Sequence, residues 1–159
     1  MIRSAQPADT STICELVREL AEYEQLTHQV VLEEQQVGEH LFGAEPCAEA
    51  ILAEEEGKVV GFALFFRNYS TFLGRPGIYL EDLYVKPEHR GAGHGRALLA
   101  EVARLAVQRG CGRLEWAVLN WNKPSIEFYN KLGGEALSGW TTYRLTGEAL
   151  LNLGQPERS

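Results

Sequence analysis

No apolar run in this chain of 159 residues approaches the ~18 residues that a membrane span requires, so no membrane partner is expected. The opening residues M-I-R-S-A-Q-P-A-D-T lack the basic-then-apolar plan of a secretory signal, and the expectation is a soluble, cytoplasmic protein. Cysteine is scarce. Cys14, Cys47 and Cys111 are odd in number, far apart and without CxxC spacing, which argues against a disulfide framework and against a zinc site. The four histidines show no HExxH pattern, so no metal is expected. Internal repeats, low-complexity stretches and interdomain linkers are also missing. Basic residues are outnumbered, 15 against 22 acidic, and the net charge of −7 disfavours nucleic acid as a partner. The shortage is sharpest in the first 56 residues, where only Arg3 and Arg18 face 13 acidic side chains; the rest holds 13 basic and 9 acidic. Solvated helix faces would explain this split; so would a cationic substrate near the first half and an anionic cofactor on the second.

With 45% apolar residues the chain can bury a full core, and its length suits one domain. A short strand I-R-S-A leads into P-A-D-T-S-T, where Asp9 or Thr12 can cap a helix and Thr12 with Glu15 fits a capping box. Ile13, Leu16, Val17, Leu20 and Ala21 then recur at helical spacing. A second helix is expected over Leu32 to Phe42. Two apolar runs, A-I-L-A-E-E and K-V-V-G-F-A-L-F-F, joined by E-E-G, read as a hairpin, and I-Y-L-E-D-L-Y-V as a further strand. Leu98, Leu99, Val102, Ala103, Leu105 and Ala106 mark a long helix that ends at Gly110. R-L-E-W-A-V-L is strand-like, N-K-P-S-I-E-F-Y-N-K-L-G a short helix closed by Gly133, and W-T-T-Y-R-L a last strand. G-E-A-L-L-N-L adds a terminal turn of helix before a loose tail over 154–159. The fold class expected is α/β, a mixed central sheet flanked by helices in one domain over residues 1–153.

The stretch R-G-A-G-H-G, Arg90 to Gly95, joins the end of a strand to the start of a helix. Glycines there let an anion reach the unpaired amides of the helix's first turn, which carry about half a positive charge. Arg90 and Arg96 flank it as cationic donors. A Walker loop needs GxxxxGK[ST], but Arg96 follows Gly95. A dinucleotide fingerprint beginning at Gly91 and Gly93 requires glycine or alanine at 96, and it too fails.

The pattern Arg90-x-x-Gly93-x-Gly95 resembles the acetyl-CoA loop of the GNAT acetyltransferase superfamily. With E-L-A-E-Y-E, Y-L-E-D-L-Y-V and N-K-P-S-I-E-F-Y it is similar, over about residues 2 to 153, to the diamine acetyltransferases, which acetylate spermidine, spermine or thialysine. This resemblance implies a GNAT-type mixed sheet, acetyl-CoA as cosubstrate, a small amine as substrate and a homodimer. It implies cofactor contacts from Leu83, Tyr84 and Val85, from Arg90, Gly91, Ala92, Gly93, His94, Gly95 and Arg96, and from Asn122, Lys123, Pro124, Ser125 and Tyr129. Backbone amides of Leu83 and Val85 would hold the pantetheine and polarise the thioester carbonyl. Asn122 has helix capping as its alternative.

An alkylammonium of pKa about 10.4 must lose a proton before its nitrogen can attack a thioester, which at pH 7 costs roughly 4 to 5 kcal/mol. Glu81, within an otherwise apolar strand, is the expected base, because burial raises a carboxylate's proton affinity. The resemblance implies the same role. Asp82 stands beside it as a substrate contact; both could instead be structural or solvent-facing carboxylates. Tyr129 would protonate the departing thiolate, with a core role beside Phe128 as the alternative. Tyr23 and Glu24 match substrate-contacting positions, offering an aromatic face and a carboxylate to a cation; a plain exposed helix end is the alternative. The polyamine enzymes carry adjacent acidic residues late in the chain, where Trp140 and Thr141 stand here. A short diamine or lysine-like amino acid becomes at least as well suited. A peptide N-acetyltransferase and a non-catalytic acetyl-CoA sensor are the competing readings.

Overall fold

Period-two and period-3.6 apolar patterns settle into separate layers in the computed structural model, which describes residues 1–156. Two compact units form, Met1–Leu119 and the chain from Asn120 onward. The first holds β1 (Ile2–Ser4), α1 (Thr10–Tyr23), α2 (Glu34–Phe42), β2 (Glu49–Glu55), β3 (Lys58–Ser70), β4 (Arg75–Val85), α3 (His94–Gln108) and β5 (Leu114–Trp116). The sheet runs in the order β1-β2-β3-β4-β5, antiparallel except for β5, which returns parallel to β4 after the α3 crossover. It is the mixed sheet flanked by helices that the sequence pattern calls for.

The β2–β3 turn consists of Glu56 and Gly57, both at positive φ (51° and 78°), the geometry of a two-residue hairpin. One face of the sheet, with Ala50, Leu52, Phe62 and Tyr84, packs on Ile13, Leu16 and Leu20 of α1 and Leu41 of α2. The pleat sends Ile51, Ala63, Leu83 and Val85 to the other face, where α3 buries Leu98, Leu99, Val102 and Ala106.

The helix start differs from expectation. α1 begins at Thr10, so Thr12 lies inside its first turn, and the Asp9 carboxylate is engaged elsewhere. It accepts the Gln6 N–H at 2.7 Å and two guanidinium N–H bonds from Arg3 at 2.8 and 2.9 Å, while Arg3 Nε donates to Glu54 at 2.6 Å. A charge-assisted fork outcompetes a single cap bond. α2 starts at Glu34, two residues later than expected.

In the second unit, α4 (Lys123–Lys131) and α5 (Gly147–Leu153) form as expected, with Gly133 at φ 88° just beyond α4. The strand expected over W-T-T-Y-R-L does not form: residues 140–145 are irregular, with Trp140 81% and Tyr143 93% exposed. β-propensity acts through a neighbouring strand, and this segment pairs with none among the described residues. Of the tail expected over 154–159, residues 157–159 lie outside the described residues.

Candidate active site

β4 brings most of the expected residues of the first unit together, and a bulge decides how. On β3, Leu64 pairs with Asp82 and the next residue, Phe65, with Leu80; Glu81 is the extra residue without a partner. Asp82 therefore shares the face of Leu64, which packs on the α1 core, and it is half-buried. Glu81 is exposed, contrary to the burial expected for it. The carboxyl with the displaced proton affinity is Asp82, pushed up to about 7 by burial, then by the charges of Glu81 and Glu24. Glu24, at the C-terminal end of α1, is raised in turn by burial and by Glu81. Three carboxylates thus share one neighbourhood with no basic group acting on Asp82 or Glu24.

Tyr23, next to Glu24, carries the Arg90 guanidinium over its ring at 5.0 Å, and Tyr84 flanks the same guanidinium at 5.6 Å. Arg90 Nε donates to the Val85 carbonyl at 2.9 Å. Arg90 is therefore folded back onto β4 and α1 instead of projecting beside the glycines. Burial and the Glu19 carboxylate push the Tyr84 phenol up to about 12. Glu19 also accepts a bond from Lys86 Nζ at 2.9 Å, fastening α1 to the end of β4.

The ladder determines which β4 amides are available. Lys86 N donates to Val60 O at 2.8 Å, which makes Val85 opposite Gly61, and Leu83 opposite Ala63, the non-hydrogen-bonded pairs. Their own N–H and C=O groups point away from β3, and β5 pairs with β4 only as far as Leu80. Leu83 and Val85 thus present amides along an edge without a strand partner among the described residues, whereas the Tyr84 backbone faces Phe62.

Just past that edge, Gly91 (φ 85°) and Gly93 (φ 87°) turn the chain into α3, with Gly93 at the N-cap. A Cβ on either would meet nothing within 4 Å, so their backbone dihedrals demand glycine and the space beside them stays open. A Cβ on Gly95 would sit an ordinary 3.8 Å from Val85 Cγ2. The first-turn amides of His94, Gly95 and Arg96, with Ala92 exposed beside them, face this open space at the positive end of a 15-residue helix. An anionic pyrophosphate fits such a cradle. His94 aims its own ring elsewhere, to 3.5 Å from Glu55 Oε2.

In the second unit, Asn122 is buried and caps α4, its Oδ1 accepting the Ser125 N–H at 3.4 Å. Lys123 and Pro124 occupy the first turn. Tyr129 is half-buried with its ring tilted against Phe128, centroids 5.4 Å apart. Sequence reasoning missed the Arg90 seat, the Glu19–Lys86 pair and a Glu55–His89 hydrogen bond. The last two join residues 67 and 34 positions apart, and no local pattern signals such pairs. Among the described residues no group of three or more His, Cys, Asp or Glu could hold a metal ion.

Residues 12–134 match the model of the acetyltransferase (GNAT) family. A thialysine N-epsilon-acetyltransferase of Bos taurus is 43% identical over 96% of this chain and 96% of its own length. An L-ornithine N5-acetyltransferase of Arabidopsis thaliana is 32% identical over 94% of this chain and 85% of its own length. Among solved structures, an integron cassette protein of Vibrio cholerae superposes with a TM-score of 0.81 over 98% of both chains at 25% identity.

Proposed function

Because the chain belongs to the acetyltransferase (GNAT) family, we propose that it transfers an acetyl group from acetyl-CoA to the primary amine of a small cationic molecule, with a lysine-like or ornithine-like amino acid ahead of a long polyamine. The observation that carries this reading is the single strand β4. It bears the carboxylate group of Glu24, Glu81 and Asp82 at its bulge and leads through the open amides of Leu83 and Val85 to the glycine cradle. The names of the thialysine and ornithine enzymes, and the Trp140 and Thr141 side chains late in the chain, favour the shorter substrates.

Acetyl-CoA supplies an activated thioester. In this reading the first-turn amides of α3 with Arg96 hold its phosphates, the Leu83 and Val85 amides align the pantetheine, and Asn122, Lys123, Pro124 and Ser125 line its arm. Tyr23, Glu24 and the β4 carboxylates receive the ammonium. The nitrogen's proton passes to a β4 carboxylate before the N–C bond forms. The family resemblance gives that role to Glu81, and a proton affinity near neutrality favours Asp82. Tyr129 returns a proton to the leaving sulfur. We also place the protein in the cytoplasm as a homodimer.

The test is thiol release from acetyl-CoA by the purified protein with lysine, thialysine, ornithine, putrescine, spermidine, an aminoglycoside and a short peptide. Turnover highest with the amino acids is expected. Acetyl-CoA binding without turnover on any amine would favour the sensor reading, and turnover on the peptide alone would favour a protein acetyltransferase. Glu81→Gln and Asp82→Asn, compared under the same conditions, identify the proton acceptor as the variant whose kcat falls by about 10²-fold or more.

A further inference from the structure

The glycine turn has no packing of its own to hold it. Gly91, Ala92 and Gly93 are exposed, and Cβ atoms on the two glycines would meet nothing. Its backbone bonds are local: His89 N to Lys86 O at 2.9 Å, Arg90 N to Pro87 O at 3.3 Å, and Ala97 N to Gly93 O at 3.0 Å. Yet a phosphate cradle works only if the amides are held in place before the ligand arrives.

Across from the turn stands Glu55, the last residue of β2. Its backbone is fixed by pairing with Lys58 and by the two-residue turn of Glu56 and Gly57. One oxygen, Oε2, reaches both ends of the glycine turn: it lies 2.6 Å from His89 Nδ1, just before Arg90, and 3.5 Å from His94 Nε2, at the first position of α3. The hydrogen bond to His89 holds the Glu55 carboxyl below its ordinary range, so the carboxylate accepts and His89 Nδ1–H donates. His94 Nε2 has no hydrogen-bond partner and meets Glu55 through charge alone.

We propose that Glu55 is a positioning residue for the cofactor loop: from the rigid end of the β2–β3 hairpin it grips His89 and His94, and so holds the intervening R-G-A-G turn in the shape that receives the phosphates of CoA. The inference rests on reading that turn as the CoA site. It has a sign that simple electrostatics does not share. Glu55 is a negative charge beside an anion cradle, so by charge alone its removal strengthens CoA binding; as an anchor, its removal weakens it.

The experiment is titration of CoA into the intact protein by calorimetry, with acetyl-CoA KM and kcat measured at saturating amine. For Glu55→Gln and His89→Ala the CoA Kd is expected to rise about 5- to 20-fold, the size of the loss when one charge-assisted hydrogen bond is broken. KM should rise in parallel while kcat stays within about twofold, and Glu55→Asp should recover part of the affinity. The double variant should bind no worse than the weaker single one, because both remove the same contact. Unchanged or tighter CoA binding in either folded single variant overturns the proposal, as does an additive double variant. Should Glu55→Gln not fold, His89→Ala alone gives the decision. Wild-type protein that fails to bind CoA refutes the reading of the site, an outcome distinct from any difference between the variants.

Discussion

At the scale of single residues, Asp82 has the most to say about pH. Its folded-state proton affinity, displaced from 3.8 to about 7, means that the native state binds the proton more tightly than the unfolded chain does. Its contribution to stability is therefore full below pH 3.8 and declines as pH rises to about 7. Asp82→Asn, always neutral, should gain stability relative to wild type over that interval, on the order of 2 kcal/mol once the solvent reaching a half-buried carboxyl is allowed for. Thermal melts of both proteins at pH 4, 5.5, 7 and 8.5 check it; a constant difference refutes the assignment. Binding of the ammonium needs the ionised form, so wild-type kcat/KM should rise through pH 7 and the variant's should lose that limb. Adjacent carboxylates in an apolar strand are visible in Y-L-E-D-L-Y-V. Which of the two is half-buried depends on a register slip against Leu64 and Phe65, residues with nothing unusual in their own sequence.

At the scale of elements, the turn into α3 separates two uses of glycine. Gly93→Ala forces an alanine to φ 87°, a strain of about 1 kcal/mol or more, and it should lower the melting temperature and raise the acetyl-CoA KM together. Gly95→Ala meets only ordinary contact in a helix, where alanine is favoured by up to about 1 kcal/mol, so stability should hold or rise. Equal destabilisation by the two would show that φ is not what Gly93 supplies. Elements marked by their own periodicity were legible: α1 from Ile13, Leu16 and Leu20, α3 from Leu98 and Val102, and the β2–β3 hairpin from two apolar runs around E-E-G. The strand expected at W-T-T-Y-R-L failed because strands need partners, and partners are set by topology. The helix cap expected from Asp9 failed because Arg3, six residues away, claims that carboxylate.

At the scale of the whole molecule, the acidic first half gives a long-range attraction for a cationic substrate that salt should screen. Raising ionic strength from 0.05 to 0.5 M is expected to raise the amine KM several-fold with little change in kcat, whereas a salt-independent KM would confine recognition to short-range contacts. The proposed homodimer has a surface to account for it. The second unit leaves Leu137, Trp140, Tyr143, Leu145, Leu150, Leu151 and Leu153 exposed in one stretch of 17 residues, more apolar surface than a solitary chain ordinarily shows to water. Covering that stretch with a second copy removes the cost. Sedimentation equilibrium at micromolar concentration should give twice the 17.7 kDa chain mass. Tyr143→Asp with Leu151→Asp should return the protein to monomer, since a charge at an apolar contact loses its hydration without gaining a partner. Both side chains are exposed, so the double variant should keep the wild-type circular dichroism. Wild-type protein sedimenting at the single-chain mass would refute the dimer.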